Sequence, residues 1–195
     1  PSGGLSSVAR LELLRKTESK VLVATPTYAM HLAEVAREQG YETATSTIRC
    51  VLVAGEPGGS LEAVRQRISS AWGADVLDHA GATEIGPWGV GWFEHSGLEV
   101  LEDWFHPEFL DISTGQPVKE GESAELVLTT LGRNGCPVIR YRTGDVVHPV
   151  WPTEQEIAAG RSPRVWLKGG ILGRSDDMLV VRGVNVFPSA VENII

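Results

Sequence analysis

Three short stretches carry the side chains best suited to chemistry. In DHAGATEIGPWG, residues 78–89, Thr83 and Glu84 stand side by side among glycines. A threonine hydroxyl can donate to a phosphate oxygen, and an adjacent carboxylate can hold the Mg²⁺ that accompanies phosphates. In YRTGD, residues 141–145, Asp145 follows a strand-like run and a glycine turn, where its two oxygens can accept from both hydroxyls of a ribose. In GRSDDMLVVRGVNVFPSAVE, residues 173–192, Arg174 can reach ribose or phosphate, and Asp176 and Asp177 sit at a glycine-bounded joint before a hairpin. Each stretch alone has a plainer reading: a Thr-Glu pair on a surface loop is ordinarily just solvated, and TGD is a common β-turn. In this order the combination is specific. The glycines and proline around Thr83 predict a stretch that settles as neither helix nor strand and lets backbone approach a ligand.

The elements that must position these groups alternate over the first eighty residues. SSVARLELLRKTES, TPTYAMHLAEVAREQG and SLEAVRQRISSAWG have apolar residues at helical spacing. The stripes run through Val8, Leu11 and Leu14; Leu32, Val35 and Ala36; and Leu61, Val64, Ile68 and Trp72. Serine caps, Pro26 near a start, and Gly40 and Gly73 at stops mark the ends. Between them KVLVAT, IRCVLVAG and ADVLDH are continuous apolar runs, which predict parallel βαβ units covered on both faces. Ligands of such sheets sit beyond the carboxyl ends of the strands. AGEPGGS and HAGATEIGPWG both follow strands, although AGEPGG alone reads as a connecting loop. PSGGLSS lacks a lysine and a preceding strand and reads as a turn.

After Gly89 the texture becomes short β-rich runs, GLEVLEDWF, AELVLTTL, VIRYRTGDVVHPV, RVWLKG and MLVVRG, punctuated by Gly, Pro and Asn. These predict antiparallel sheet or a small distorted barrel. PTEQEIAAGRSP reads as an exposed loop with a helical turn, and FPSAVENII as a helix start. The expected division is an α/β subdomain over 1–100, a β-barrel-like subdomain over 101–172, and a hinge with the start of a further domain over 173–195.

Composition limits the partners. The 195 residues include 17 basic and 25 acidic side chains, a net charge of −8, with no basic cluster, which argues against a nucleic-acid partner. No apolar run approaches the roughly 20 residues of a membrane helix, and the start lacks the features of a signal peptide. Cys50 and Cys136 lie outside any metal-ligand spacing and read as buried, reduced thiols. A cytoplasmic protein is expected.

Taken together, AGEP, AGATE, YRTGD and GRSDDMLVVRGVNVFPSAVE resemble the adenylate-forming enzymes, and most closely the phenylacetate–coenzyme A ligase branch. The resemblance runs over essentially the whole chain. It implies two half-reactions: a carboxylate attacks the α-phosphate of ATP to give an acyl-adenylate and pyrophosphate, and the thiol of coenzyme A then displaces AMP. It implies that Thr83 contacts the α-phosphate and that Glu84 helps bind Mg²⁺. Gly55, Glu56 and Pro57, with Asp78, His79 and Ala80, would line the adenine slot. Asp145 would hold the ribose, Arg174 the ribose-phosphate side, Asp176 would be the hinge, and Gly183 would lie near the pantetheine tunnel. The acid would be aromatic, phenylacetate first. Gly81, Ala82 and Gly86 leave room for a flat ring, and Ile85, Pro87 and Trp88 supply apolar walls. Trp92 reads as ordinary core packing.

Four departures from the family pattern accompany this resemblance. No phosphate loop with a lysine precedes TPTYA, and the family's C-terminal lysine would lie beyond Ile195. Residues 146–173 hold no cysteine, so no zinc is expected. Ala80 stands where the family usually has a tyrosine that stacks on adenine; a lost stack costs roughly 0.5–1.5 kcal/mol by analogy with aromatic pairs, and His79 is the alternative stacking or hydrogen-bonding group. The chain therefore reads as the core of a longer ligase, unable to complete either half-reaction efficiently alone. The competing readings are an adenylating domain that loads a carrier protein and a non-catalytic nucleotide-binding remnant. A nicotinamide oxidoreductase is weakest, since no GxGxxG follows a strand.

Overall fold

The computed structural model describes residues 3–93, 96–177, 179–181 and 184–186. The first part is α1 (Ser7–Lys16), β1 (Val21–Ala24), α2 (Pro26–Glu38), β2 (Cys50–Val53), α3 (Glu62–Trp72) and β3 (Asp75–Ala82). Local chemistry sets the helix ends. Ser6 and Thr25 accept from the backbone N–H of Ala9 and Tyr28, and Gly73 closes α3 in the left-handed conformation. Strands β1, β2 and β3 pair in parallel, with Leu22, Val51 and Val76 side by side. Those residues join Leu11, Leu32, Ile68 and Trp72 in one hydrophobic cluster, so all three helices lie on the same face. The buried Trp72 indole N–H is satisfied by the Ala29 carbonyl at 3.0 Å.

That arrangement differs from the expected cover on both faces. Val21 and Val23, on the opposite face of β1, are 52% and 66% exposed. A continuous apolar run signals strands meant to be buried on both sides, but it does not say that both covers lie in the same stretch of chain.

The sheet then changes character without a break. β4 (Gly86–Val90) turns back on β3, followed by β5 (Gly97–Val100), β6 (Phe105–Leu110), β7 (Ala124–Thr130), β8 (Tyr141–Val147), β9 (Pro149–Val150), α4 (Glu154–Ala158), β10 (Trp166–Lys168) and β11 (Gly173–Arg174). One seven-stranded sheet runs in the order β1-β2-β3-β4-β5-β10-β9, parallel up to β3 and antiparallel beyond it. A four-stranded antiparallel sheet, β11-β8-β7-β6, supplies the other wall of a second core. That core contains Ala80, Ile85, Trp88, Leu98, Phe105, Leu126, Leu128 and Leu167. The exposed stretch expected to hold a helical turn is α4, which Thr153 and Glu156 start with a reciprocal capping box. β12 (Leu179–Val181) and β13 (Val184–Val186) form the expected hairpin. Gly183 and the helix expected from FPSAVENII lie outside the described residues. Of the two thiols expected to be buried, Cys50 is half-buried, and Cys136, in the β7–β8 connection, is exposed.

Candidate active site

The glycine-rich stretch around Thr83 is a β-hairpin, which corrects the expectation that it would adopt neither regular form. β3 runs through Gly81 and Ala82, the turn holds Thr83, Glu84 and Ile85, and β4 starts at Gly86. Its glycines allow the two strands to pass close together. A Cβ on Gly81 would stand 3.1 Å from the Pro87 Cα, and one on Gly89 would stand 3.2 Å from the Ala80 Cβ. Ile85 anchors the turn from below, buried with Trp88 in the second core. Thr83 and Glu84 remain exposed at the tip. Of the apolar positions expected to meet a substrate, Ile85 and Trp88 are therefore core residues. Gly81 and Pro87 are exposed, and Ala82 and Gly86 are half-buried.

β8 brings Asp145, the acid expected at a ribose, to the same edge. In place of the expected glycine turn, Gly144 and Asp145 lie within β8 at a bulge against β7, where the Thr143 hydroxyl donates to the Leu126 carbonyl and accepts from the Asp145 N–H. Gly144 has φ +74, and a Cβ there would meet the Arg174 guanidinium at 2.5 Å, so only glycine lets this arginine lie across the bulge. Arg174 donates to the Thr143 carbonyl at 2.5 Å, to Asp145 at 3.3 Å and to Asp176 at 3.1 Å. Burial raises the Asp145 carboxyl above its ordinary pKa, and the facing Arg174 opposes that shift. Asp176, held by Arg174, is lowered.

Two residues without an expected role link this group to the hairpin tip. The Tyr141 hydroxyl, at the start of β8, is raised by burial, then by the charge of and a hydrogen bond to the Glu84 carboxylate, and it also feels Arg174 and Asp145. Arg133, in the β7–β8 connection, donates to the Glu84 main-chain carbonyl at 2.6 Å. Tyr141 was visible inside YRTGD as a polar aromatic beside the motif. Nothing in the spacing pointed to Arg133.

The remaining expected residues form a second group at the base of the hairpin. Asp78 is 7% exposed and accepts from the Ser60 hydroxyl at 2.5 Å and from the His79 N–H at 2.9 Å. Burial is the main cause that raises its pKa. Gly59 and Gly170 pack against it so closely that a Cβ on Gly59 would overlap its carboxylate oxygen. Asp78 therefore ties the AGEPGGS loop to the loop before β11. His79 is hydrogen-bonded through Nδ1 to the Gly89 carbonyl at 2.9 Å, and Ala80 is buried in the second core. Gly55, Glu56 and Pro57 are exposed, and Glu56 accepts from the Thr27 N–H and hydroxyl at the start of α2. Trp92 corrects the core expectation. It is 44% exposed, and its indole N–H donates at 3.1 Å to the buried Glu99 that Arg164 also holds.

The chemistry of the donor set fits a nucleotide with its metal. No group of three or more metal-ligating side chains occurs among the described residues. Mg²⁺ needs no such cage, because it is commonly held by one or two carboxylates together with substrate phosphates and water. Glu84 at an exposed tip, beside Thr83, suits that role. Two clefts of ≈ 450 and ≈ 960 Å³ open elsewhere, one against Arg37 and Tyr41 and one beneath Trp92 and Trp166. Neither is lined by Thr83, Glu84, Asp145 or Arg174.

No family model matches the chain. The phenylacetate-coenzyme A ligase of Thermus thermophilus is 36% identical over 100% of the chain and 42% of its own length. That of Escherichia coli is 33% identical over 98% of the chain and 43% of its own length. The chain thus spans about two fifths of these curated relatives. A solved structure of 2-hydroxyisobutyryl-CoA ligase, in the postadenylation state with R3-HIB-AMP, superposes with a TM-score of 0.87 at 32% identity. It matches over 98% of the chain and 41% of that protein. The anthranilate CoA ligase AuaEII with anthranoyl-AMP shares the fold, with a TM-score of 0.64 at 18% identity over 95% of the chain and 36% of that protein. Over its whole length the chain is thus similar in sequence to phenylacetate-coenzyme A ligases and in fold to CoA ligases solved with acyl-adenylates, and it spans about two fifths of their length.

Proposed function

We propose that the chain is part of an ATP-dependent acid–coenzyme A ligase acting through an acyl-adenylate, with an aryl or arylacetic acid as substrate and phenylacetate first among them. The observation that carries this reading is the single edge on which Glu84, Tyr141, Asp145 and Arg174 interact. Asp145 accepts the ribose hydroxyls, and Arg174 leans across Gly144 toward the ribose-phosphate side. The Thr83 hydroxyl donates to the α-phosphate. Glu84 holds Mg²⁺, which when bound supplies charge neutralisation to the phosphates. Such chemistry needs mainly positioning and fixed charge. Gly55, Glu56, Pro57, Asp78, His79 and Ala80 border the base, and Gly81, Ala82, Gly86 and Pro87 border the acid. Asp176 is the hinge of a following domain that starts near residue 173 and brings Gly183 toward the thiol acceptor. Coenzyme A is the proposed acceptor, and a solved structure of the 2-hydroxyisobutyryl-CoA ligase holds 2-HIB-AMP and CoA together. ATP and coenzyme A as substrates make the cytoplasm the proposed compartment, and no helix among the described residues is long and apolar enough to cross a membrane.

The test is calorimetric titration of the 195-residue chain with a non-hydrolysable phenylacetyl-adenylate analogue, beside Asp145→Ala. Loss of a charged hydrogen-bond acceptor costs about 1.5–3 kcal/mol, so the variant should bind roughly 10- to 100-fold more weakly. Equal binding by both proteins would remove Asp145 from the ribose and with it the assignment of this edge.

A further inference from the structure

Six arginines lie between residues 101 and 177, and five of them are paired with carboxylates: Arg140 with Glu108, Arg142 with Glu125, Arg161 with Glu156, Arg164 with Glu99 and Asp103, and Arg174 with Asp145 and Asp176. Arg133 is the exception. Among the described residues its one acceptor is the Glu84 main-chain oxygen, at 2.6 Å across 49 residues of sequence. A carbonyl anchors a guanidinium without neutralising it. One Nη1–H of this half-buried side chain is fixed on the hairpin tip, and no carboxylate among the described residues takes up the rest of the fork.

Its place in the site gives that charge a purpose. β8 leads from Tyr141, which meets Glu84, to Asp145, which meets Arg174. The loop that carries Arg133 enters β8 at the Tyr141 end, away from the acid proposed for ribose. A nucleotide with its ribose on Asp145 and its α-phosphate at Thr83 would extend its outer phosphates past Glu84 toward Arg133. At the ribose end Arg174 is already paired with Asp145 and Asp176, so Arg133 is the cation left for the end beyond Glu84. A planar guanidinium is well matched to phosphate oxygens through paired N–H donors.

We propose that Arg133 is a phosphate-contacting residue whose open guanidinium edge takes the β- or γ-phosphate oxygens of ATP, or the pyrophosphate formed from them. The inference rests on the nucleotide reading above and adds to it the cation for the outer phosphates.

The test titrates the full chain with AMP, ATP and inorganic pyrophosphate, each with Mg²⁺, for the wild type, Arg133→Gln, Arg133→Lys and Asp145→Ala. Glutamine keeps an N–H for the Glu84 carbonyl and removes the charge, so the hairpin anchor and the phosphate contact separate. Arg133→Gln should weaken ATP and pyrophosphate roughly 10- to 100-fold and leave AMP within about twofold, the size of a lost charged hydrogen bond. Arg133→Lys should recover part of the loss. An equal loss of AMP and ATP would reduce Arg133 to a brace for the hairpin, and unchanged ATP binding would also overturn the inference. AMP binding that ignores Asp145→Ala, or is absent from the wild type, would instead strike the nucleotide reading itself and take this inference with it.

Discussion

Asp78 is an acid whose folded surroundings favour its protonated form. Burial raises its pKa from 3.8, and the hydrogen bonds from Ser60 and His79 oppose that only in part. Between 3.8 and the raised folded value, the folded chain binds more protons than the unfolded one. Stability from this residue is therefore present at low pH and is lost as pH rises through that window. Asp111, pulled down to about 2 by Ser113 and Thr114, works the other way, as do Glu156 and Asp176, whose contributions fall as pH drops. Comparison with Asp78→Asn cancels those common terms. Wild type should lose ground to the variant as pH climbs from about 4 toward neutrality, by up to about 1.4 kcal/mol per pH unit inside the window. Urea midpoints of both proteins across that range would show it, and parallel curves would mean that Asp78 does not titrate there. At this scale the residues proposed for the site, Thr83, Glu84, Asp145 and Arg174, could be picked out because each sits in a local motif. Arg133 was not, since its role comes from a contact between loops 49 residues apart.

The elements were legible wherever period carries the signal. Helical stripes and apolar runs marked α1 to α3, β1 and β2 to within about three residues, although Val8 of the first stripe is exposed and Leu61 caps α3 from outside, whereas a density of glycines masked the end of β3 and its hairpin with β4. Those glycines are there because backbones cross closely, and close crossing is a tertiary fact that local propensity does not encode. Gly97 is the sharpest case. It begins β5, opposite Lys168 of β10, a partner strand far along the chain. Its φ is +137, and a Cβ would lie 2.5 Å from the Leu167 carbonyl and 2.6 Å from the Trp166 ring. Gly97→Ala should cost about 1–3 kcal/mol through overpacking alone, with the backbone strain added to that. Gly135→Ala is the matched control, because no atom lies within 4 Å of its Cβ position and its φ is not positive; it should stay within about 0.5 kcal/mol of wild type. Thermal melts of the pair decide the point, and equal melting temperatures would put the β5–β10 contact in doubt.

At the scale of the whole molecule, the seven-stranded sheet has two edges of opposite kinds. At one end β9 is two residues long and carries Pro149, a combination that discourages further pairing. At the other, β1 is the outermost of the parallel strands, with Val21 and Val23 facing away from the helices and Leu52 and Leu77 half-buried on the same side. Covering this face from one side only leaves an apolar strip next to unpaired backbone, the pattern that draws strands of neighbouring molecules together. The sequence showed the strip as apolar but held no account of which stretch of chain would cover it. The chain on its own should therefore self-associate in proportion to concentration. Val23→Lys places a charge at the most exposed point of the strip, where the side chain is already 66% accessible. It should lower the weight-average mass at a given concentration while leaving the melting temperature nearly unchanged, since no core packing is removed. Sedimentation velocity over a dilution series measures this directly. A wild-type chain that remains monomeric at every concentration, or a lysine variant that associates equally well, would show that this face does not draw copies together.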